Sequence, residues 1–187
     1  MIALKTTTLI LSLILVGIFT SSAQYNDSSD LEFGIKAGVN LSNLKNAGGK
    51  PKIGPLGGIF AEYRFTEKVS IRTEAMFSIQ GTKKKGSFET VKLNYVNFLP
   101  ALVKFYPVKK ISIEAGPYIG LLLSKKDDNP STLDYRKMDF GAVLGLGYRV
   151  VDNVEIGLRY SYGMFDITKT IGEIKNRGFQ LALSYSF

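Results

Sequence analysis

Strict alternation of apolar residues is the feature of this sequence that most limits how it can fold. In five segments every second residue is apolar, and the residues between them are small or charged. The apolar positions run from Phe33 to Leu41, Ile71 to Ile79, Ile113 to Leu123, Val154 to Tyr162 and Phe179 to Phe187. Successive side chains of a β-strand point to opposite faces, so each segment has one apolar and one polar face. We therefore expect strands that separate two solvents, with the apolar solvent outside.

Eight strand-like runs can be recognised, most of them long enough for a tilted strand to cross a bilayer, which takes about 9–11 residues. They cover residues 31–42, 54–65, 69–81, 91–106, 111–124, 138–150, 154–164 and 175–187. Short links (66–68, 107–110, 151–153) alternate with long ones (43–53, 82–90, 125–137, 165–174). This alternation predicts an all-β fold, an eight-stranded antiparallel up-and-down transmembrane β-barrel with short periplasmic turns and longer extracellular loops. Closure is expected because an open sheet edge in lipid would leave its amides unsatisfied.

The N-terminus has the pattern of an export signal. Lys5 precedes an apolar stretch from Leu9 to Phe19, and small residues follow up to Ala23. The stretch is too short for a transmembrane helix, which needs about 20 residues. We expect residues 1–23 to be a cleaved signal peptide, read by the Sec pathway, 24–30 a disordered lead-in and 31–187 the barrel domain. The chain has no cysteine, which excludes a lipoprotein anchor and disulfides.

Prolines and aromatic residues refine the prediction. Pro100 and Pro117 fall inside strands, where a missing N–H predicts a bulge or a lost ladder bond. Aromatic residues at outward positions should form belts at the two membrane interfaces. One belt would comprise Phe33, Tyr63, Phe65, Phe105, Tyr148, Tyr185 and Phe187, and the other Phe77, Tyr95, Phe140 and Tyr162.

Charged residues occupy the inward positions. They are Lys36, Glu62, Arg64, Arg72, Glu74, Lys104, Glu114, Arg149, Glu155 and Arg159, six cations and four anions. An eight-stranded barrel is only wide enough for its own side chains, and a buried unpaired charge is costly. We predict a structural ion-pair network that fills the lumen, made possible by inward glycines such as Gly145 and Gly157. A proton or ion pathway, or a charged binding pocket, is the alternative.

Lysines in the long links account for much of the net charge of +8. They are Lys45, Lys50, Lys52, Lys83, Lys84, Lys85, Lys125 and Lys126. Such a basic collar would face outer-membrane lipid and the phosphates and acidic sugars of lipopolysaccharide. A solvated charged surface is the alternative. Nucleic acid is not an expected partner, because an exported chain does not meet it.

Catalytic chemistry has little support in the composition. The chain contains no histidine and no cysteine, which removes the usual general base, the usual nucleophile pair and soft metal ligands. The inward glutamates have basic neighbours that should keep them ionised and passive. We predict no catalytic residue, no cofactor and no metal site.

Three segments carry a family resemblance. Residues 111–120 (ISIEAGPYIG), 139–148 (DFGAVLGLGY) and 97–105 (NFLPALVKF) resemble those of the PorT-like outer-membrane β-barrel family of Bacteroidota. The resemblance implies an eight-stranded barrel in the outer membrane. It also implies that the terminal Phe187 matches the aromatic end that the barrel-assembly machinery recognises.

Together these observations favour a non-enzymatic outer-membrane barrel with a charge-plugged lumen, acting as an envelope structural or surface-interaction protein through its basic loops. Two alternatives remain open. One is a narrow pore or transport channel, and the other a soluble lipocalin-like barrel that binds an apolar ligand. The loop partner would be an unknown surface ligand or protein.

Overall fold

Eight antiparallel strands make up the barrel. The structure, a computed structural model, describes residues 30–45, 50–83, 90–127, 136–165 and 175–187. The strands are β1 (Leu31–Lys45), β2 (Lys50–Thr66), β3 (Val69–Lys83), β4 (Thr90–Val108), β5 (Ile111–Asp127), β6 (Met138–Val151), β7 (Val154–Gly163) and β8 (Lys175–Ser186). Each pairs with the next in sequence, and β8 pairs with β1, so that the sheet closes. The predicted eight-stranded antiparallel barrel is confirmed.

Three of the links are two-residue turns at one end of the barrel, which we call the turn end. They join β2 to β3, β4 to β5 and β6 to β7. In the first, the Thr66 hydroxyl accepts hydrogen bonds from the amides of Lys68 and Val69, at 3.2 and 3.0 Å. We call the opposite end of the barrel, where β1 ends and β2 begins, the loop end. In barrels of this kind that end is expected to face the cell exterior.

The strands reach further toward the loop end than the sequence pattern predicts. β1 continues to Lys45 and β2 begins at Lys50, where the sequence suggested a link over 43–53. The pairing of β1 with β8 likewise runs to Lys45 opposite Lys175. Charged residues broke the alternation there, whereas ladder hydrogen bonds to neighbouring strands sustain the sheet.

The apolar face of the sheet is its outer face. Ile35 and Leu181 are about half exposed, at 50% and 52%, whereas the intervening Lys36 is 5% exposed. The predicted orientation of the alternation is therefore confirmed. It is the reverse of a lipocalin-like barrel, which would need its apolar residues inside. Within the described residues, no helix is both long and apolar enough to cross a membrane.

β4 contains a bulge that reverses its inward and outward faces. Arg72 pairs with Leu102 but Glu74 pairs with Leu99, so β4 has one extra residue around Pro100. The Thr73 hydroxyl donates a hydrogen bond of 2.9 Å to the Pro100 carbonyl. Even-numbered residues face inward after the bulge and odd-numbered ones before it, because a bulge shifts the pleat by one residue.

Tyr95 shows the consequence of this reversal. It is 1% exposed and lies inside the barrel, so the prediction that it belongs to the outer aromatic belt is wrong. The physical reason is the bulge at Pro100. Because of it, odd-numbered residues rather than even-numbered ones face inward in the first half of β4. Phe98 takes the outward place instead and is 43% exposed.

Both strand prolines lie where the β4–β5 ladder is interrupted. Pairing stops at Phe98 opposite Ile119 and resumes at Val103 opposite Ala115. Pro117 lies in this gap, although it keeps its place opposite Ala142 in the β5–β6 ladder. The predicted irregularities at both prolines are confirmed.

The other predicted aromatic positions face outward. At the turn end all seven are exposed: Phe33, Tyr63, Phe65, Phe105, Tyr148, Tyr185 and Phe187. Two edge-to-face pairs form there, Tyr63 with Phe65 at 4.8 Å and Tyr185 with Phe187 at 5.8 Å between ring centroids. At the loop end Phe77 and Phe140 are exposed and Tyr162 is partly exposed.

The interior is layered along the barrel axis. Most of the buried charged residues lie in the half nearer the turn end, whereas the half nearer the loop end holds mainly uncharged polar residues, with Lys52 and Asp139. Between them is an apolar cluster of Leu56, Met76, Leu99, Leu102, Tyr118, Val143 and Ala182. The charged layer and the two ends of the barrel are the places where function must be sought.

Candidate functional site

Eight charged side chains form one continuous network across the lumen, which we call the lumen network. Its cations are Lys36, Arg72, Lys104 and Arg159, and its anions are Glu62, Glu74, Glu114 and Glu155. They come from β1, β2, β3, β4, β5 and β7. All eight are buried, with exposures from 0% to 7%.

Glu62 is the centre of the layer nearest the turn end. Arg72, its cross-strand partner, approaches one carboxylate oxygen at 2.6 Å. The hydroxyls of Ser70 and Tyr106 donate to the other oxygen at 2.6 and 2.7 Å. The Lys104 ammonium lies 3.4 Å from the first oxygen. Both oxygens are therefore fully used, as a buried carboxylate requires.

Arg72 and Lys104 extend this layer across the lumen to Glu155. The Lys104 ammonium lies 2.8 and 2.7 Å from the two Glu155 oxygens. Nη1 of Arg72 donates to Glu155 at 3.1 Å and lies 3.9 Å from Glu74. Arg72 thus touches three carboxylates and joins the two layers of the lumen network.

Glu74 is the centre of the second layer. Arg159 binds its two oxygens through two nitrogens, at 2.7 and 3.0 Å. Lys36 approaches from β1 at 3.0 Å. Arg159 also donates to Glu114 through Nε at 2.7 Å. Arginine suits this position because its planar group can serve two carboxylates at once.

Gly145 gives Arg159 the room to reach Glu114. It lies between them in the sheet, opposite Glu114 in β5 and Arg159 in β7. A Cβ at Gly145 would come within 2.7 Å of a Glu114 oxygen. Gly157 is different, because a Cβ there would meet only the Leu146 carbonyl, at 4.0 Å. The inward glycines therefore do not all serve the same purpose.

Two of the residues expected in the lumen network lie outside it. Arg64 and Arg149 are only half-buried and lie at the turn end. Arg64 pairs with Glu32 at 3.4 Å, and both guanidinium groups lie over the Tyr106 ring, at 5.1 and 5.6 Å from its centroid. The six cations and four anions counted from the sequence become four of each in the lumen network.

Serine and tyrosine hydroxyls were missed by the sequence analysis. Ser70 and Tyr106 complete Glu62, and the Tyr118 hydroxyl donates to Asp139 at 3.0 Å nearer the loop end. Ser70 could have been identified from the sequence, because it lies two residues before Arg72 and therefore on the same inward face of β3. Tyr106 and Tyr118 carry the apolar signal of aromatic residues, which hides their polar ends in a hydrophobicity pattern.

A cavity of about 20 Å³ lies beside the apolar cluster, with Arg159 and Ser78 among its walls. That is roughly room for one water molecule. Within the described part of the chain, no group of three or more acidic side chains is arranged to hold a metal ion. The geometry of the lumen network is that of a rigid, electrically balanced brace.

The predicted basic collar is only partly at the loop end. Lys52 is 7% exposed, within β2 and on its inward face, so its assignment to a loop is wrong. The physical reason is that β2 begins earlier than expected. Lys45, Lys50, Lys83, Lys125 and Lys126 lie within strand ends, and Lys125 is exposed. Lys84 and Lys85 lie outside the described residues. Arg136 and Lys137, exposed before β6, add to the positive charge there.

Comparison with known proteins agrees with this architecture. Residues 22–169 match the family described as the outer membrane protein beta-barrel domain. The chain belongs to this family. Its members are outer-membrane proteins, which places the barrel in that membrane. The outward apolar wall and the aromatic belts are the surfaces that this membrane contacts.

Solved structures share the fold at low sequence identity. Neisserial surface protein A is 18% identical with a TM-score of 0.56, covering 85% of this chain and 98% of that one. Ail, the attachment invasion locus protein of Yersinia pestis, is 17% identical with a TM-score of 0.53, covering 83% and 98%. A search of curated proteins gives no match.

Proposed function

We propose that this protein is a non-enzymatic outer-membrane barrel whose lumen is plugged by ion pairs, and that it acts in the envelope through its basic loop end. The observation that carries the proposal is the lumen network, in which four cations and four anions meet across the barrel. Because cations and anions are equal in number and in contact, no charged residue of the lumen network needs a solute or a water column to neutralise it.

The network favours a plug over the alternative of a narrow pore. A conducting path needs a continuous row of water, and the cavity beside the apolar cluster has room for about one molecule. An ion entering the lumen would also have to separate short charge-assisted pairs such as Arg159 with Glu74, at 2.7 Å. The barrel is in this respect a closed scaffold.

The loop end is the part left for interaction. Lys125, Arg136 and Lys137 are exposed there, and cationic side chains attract phosphates and acidic sugars. The related structure of Ail has been solved in complex with the heparin analogue sucrose octasulfate. We propose lipopolysaccharide or acidic surface glycans as the partners of this loop end, in addition to the surrounding outer-membrane lipid.

Export and assembly complete the proposal. The signal-like residues 1–23 support export through the Sec pathway, and the outward Phe187, 74% exposed, supports recognition by the barrel-assembly machinery. Within the outer-membrane barrel family, residues 97–105, 111–120 and 139–148 support a PorT-like member from Bacteroidota.

Planar-bilayer recording tests the plug. Refolded protein, shown to be inserted by protection of its strands from protease, is expected to give no discrete conductance. Arg159→Ala removes a large side chain from the wall of the cavity beside the apolar cluster and should produce brief openings that the unmodified protein does not show. Stable, unitary openings of the unmodified protein would show a pore instead.

Whole-cell binding tests the loop end. Cells displaying the barrel are incubated with a fluorescent sulfated polysaccharide, and the triple variant Lys125→Gln, Arg136→Gln, Lys137→Gln is expected to bind several-fold less. The matched control is Lys68→Gln with Lys109→Gln and Lys110→Gln, which removes three charges from the turn end and should leave polysaccharide binding unchanged. Equal binding by all variants, at equal surface expression, would contradict the proposed surface role.

A further inference from the structure

A second concentration of positive charge lies at the turn end, opposite the proposed interaction surface. There a cleft of about 430 Å³ opens between the turns after β4 and β6 and the end of β2. Its walls are Arg64, Glu67, Lys109, Lys110, Arg149, Val150, Val151 and Asp152. Four of these side chains are cationic and two are anionic, so the cleft carries excess positive charge.

Arg149 is the half-buried cation that β6 contributes to this cleft. Its cross-strand neighbour Glu155 is bound by Lys104 and Arg72. Among the described residues, no carboxylate forms an ion pair with Arg149. Its guanidinium lies instead 5.6 Å from the centroid of the Tyr106 ring.

Arg64 approaches the same ring from β2, at 5.1 Å from its centroid. It forms an ion pair with the partly exposed Glu32, at 3.4 Å. Both guanidinium groups lie within 6 Å of one ring centroid, so an anion placed near this ring would be attracted by both. Phosphate is one of the anions that arginine binds with two parallel hydrogen bonds.

The surroundings of the cleft indicate what carries the phosphate. Lys109 and Lys110 are exposed and come directly between Val108 and Ile111, which face outward with exposures of 55% and 42%. Val151, a wall of the cleft itself, is 58% exposed. The charged cleft therefore adjoins the apolar wall that contacts lipid, at the depth where headgroups lie.

We propose that this cleft binds the phosphate of an anionic phospholipid in the inner, periplasmic leaflet of the outer membrane. The headgroup phosphate lies between Arg149 and Lys110, and the acyl chains run along the outer wall beside Val108 and Ile111. A free phosphate would have the same attraction to the cations but would gain nothing from this wall. The site is independent of whatever the loop end binds.

Native mass spectrometry of the refolded full chain tests the proposal. Protein in neutral detergent is titrated with phosphatidylglycerol and, separately, with phosphatidylcholine of the same acyl chains. We expect the barrel to retain one molecule of phosphatidylglycerol, and to bind it in clear preference to phosphatidylcholine. Lys110→Gln with Arg149→Gln should weaken it about 25-fold, since each cation near a membrane surface contributes about fivefold. The single variant Arg149→Lys keeps the charge and should therefore retain most of the binding of phosphatidylglycerol.

Matched controls separate this site from general attraction. Lys125→Gln with Lys137→Gln removes the same charge from the loop end and should leave the retained lipid unchanged. Equal loss from both double variants would overturn the proposal, because it would show attraction to net charge alone. Glycerol 3-phosphate, which has the phosphate without acyl chains, should not displace the lipid at equal concentration. If it does, the cleft is a site for soluble phosphates and the lipid assignment is wrong.

Discussion

At the scale of the residue, burial decides what an ion pair contributes. Glu74 is fully buried and serves Lys36 and Arg159, whereas Glu32 meets Arg64 near the surface with 32% of its side chain exposed. Loss of one partner from a buried pair leaves an uncompensated charge, while an exposed pair exchanges its partner for water. Ion pairs of the same chemistry therefore contribute very differently to the stability of this barrel.

Neutralisation of Glu74 should consequently be costly. We expect Glu74→Gln to lower the free energy of unfolding by about 3 kcal/mol or more, because three buried cations lose a charged partner. Glu32→Gln is the matched control and should change it by less than about 1 kcal/mol. Urea titration of the two variants in lipid vesicles measures both changes in the free energy of unfolding. Similar small effects for the two variants would mean that the lumen network does not brace the barrel.

Gly145 offers a second test at this scale. Gly145→Ala would place a Cβ 2.7 Å from a Glu114 oxygen and 3.1 Å from the Leu158 carbonyl. We expect a loss of roughly 1–3 kcal/mol, the usual effect of overpacking. Gly157→Ala, on the same inward face but in open space, should be near neutral or slightly stabilising. The midpoint of thermal unfolding, followed by gel mobility, compares the two, and a larger loss at Gly157 would contradict the packing described.

At the scale of the element, one extra residue decides which face of β4 enters the lumen. The bulge at Pro100 places Leu93, Tyr95 and Leu99 inside, although Lys104 and Tyr106 of the same strand are also inside. A regular strand cannot have inward residues of both parities. The bulge therefore lets β4 supply odd-numbered residues to the loop half and even-numbered ones to the charged half.

Single tryptophans can report this reversal, since the chain has none of its own. We expect Phe98→Trp to be strongly quenched by brominated lipids and Tyr95→Trp to be protected, because the first faces lipid and the second the interior. Phe105→Trp, beyond the bulge, should be quenched as well. Quenching at position 95 with protection at position 98 would show that even-numbered residues face inward along the whole of β4, and that the bulge does not reverse its faces.

At the scale of the whole molecule, closure by β1 and β8 is what makes the lumen a separate compartment. The two strands pair from Gly34 opposite Ser186 to Lys45 opposite Lys175. This contact joins the two ends of the barrel domain, so it forms only when all intervening strands are in register. Closure also removes the last unpaired edge from the membrane.

Engineered disulfides test closure in a chain without native cysteine. Val39→Cys with Leu181→Cys joins direct partners of β1 and β8 and should cross-link readily on oxidation. Val39→Cys with Leu158→Cys is the control, because Leu158 lies one strand further away, opposite Leu181. Neighbouring strands are about 4.8 Å apart, so the control residues, two strands apart, are separated by roughly 10 Å. That exceeds the distance of about 7 Å that a disulfide can bridge. Mobility on non-reducing gels reads the result, and cross-linking of the control alone would exclude the observed strand order.

Local alternation was sufficient to predict the class of fold. An outward apolar residue such as Ile35 or Leu181 indicates by its own hydrophobicity that it faces lipid. The alternation of short and long links predicts that strands adjacent in sequence are neighbours in the sheet. The number of strands, their order and the polarity of the wall therefore followed from the amino-acid sequence. So did the inward placement of Glu62, Arg72 and Arg159.

The tertiary structure alone decided which charges meet. Arg72 and Glu155 are 83 positions apart in the chain, and no local pattern records that the barrel brings them within 3.1 Å. The exclusion of Arg64 and Arg149 from the lumen network and the inward turn of Tyr95 were likewise invisible. The physical reason is that alternation specifies the side of a strand, whereas register, bulges and closure set the height and partner of each side chain within the lumen.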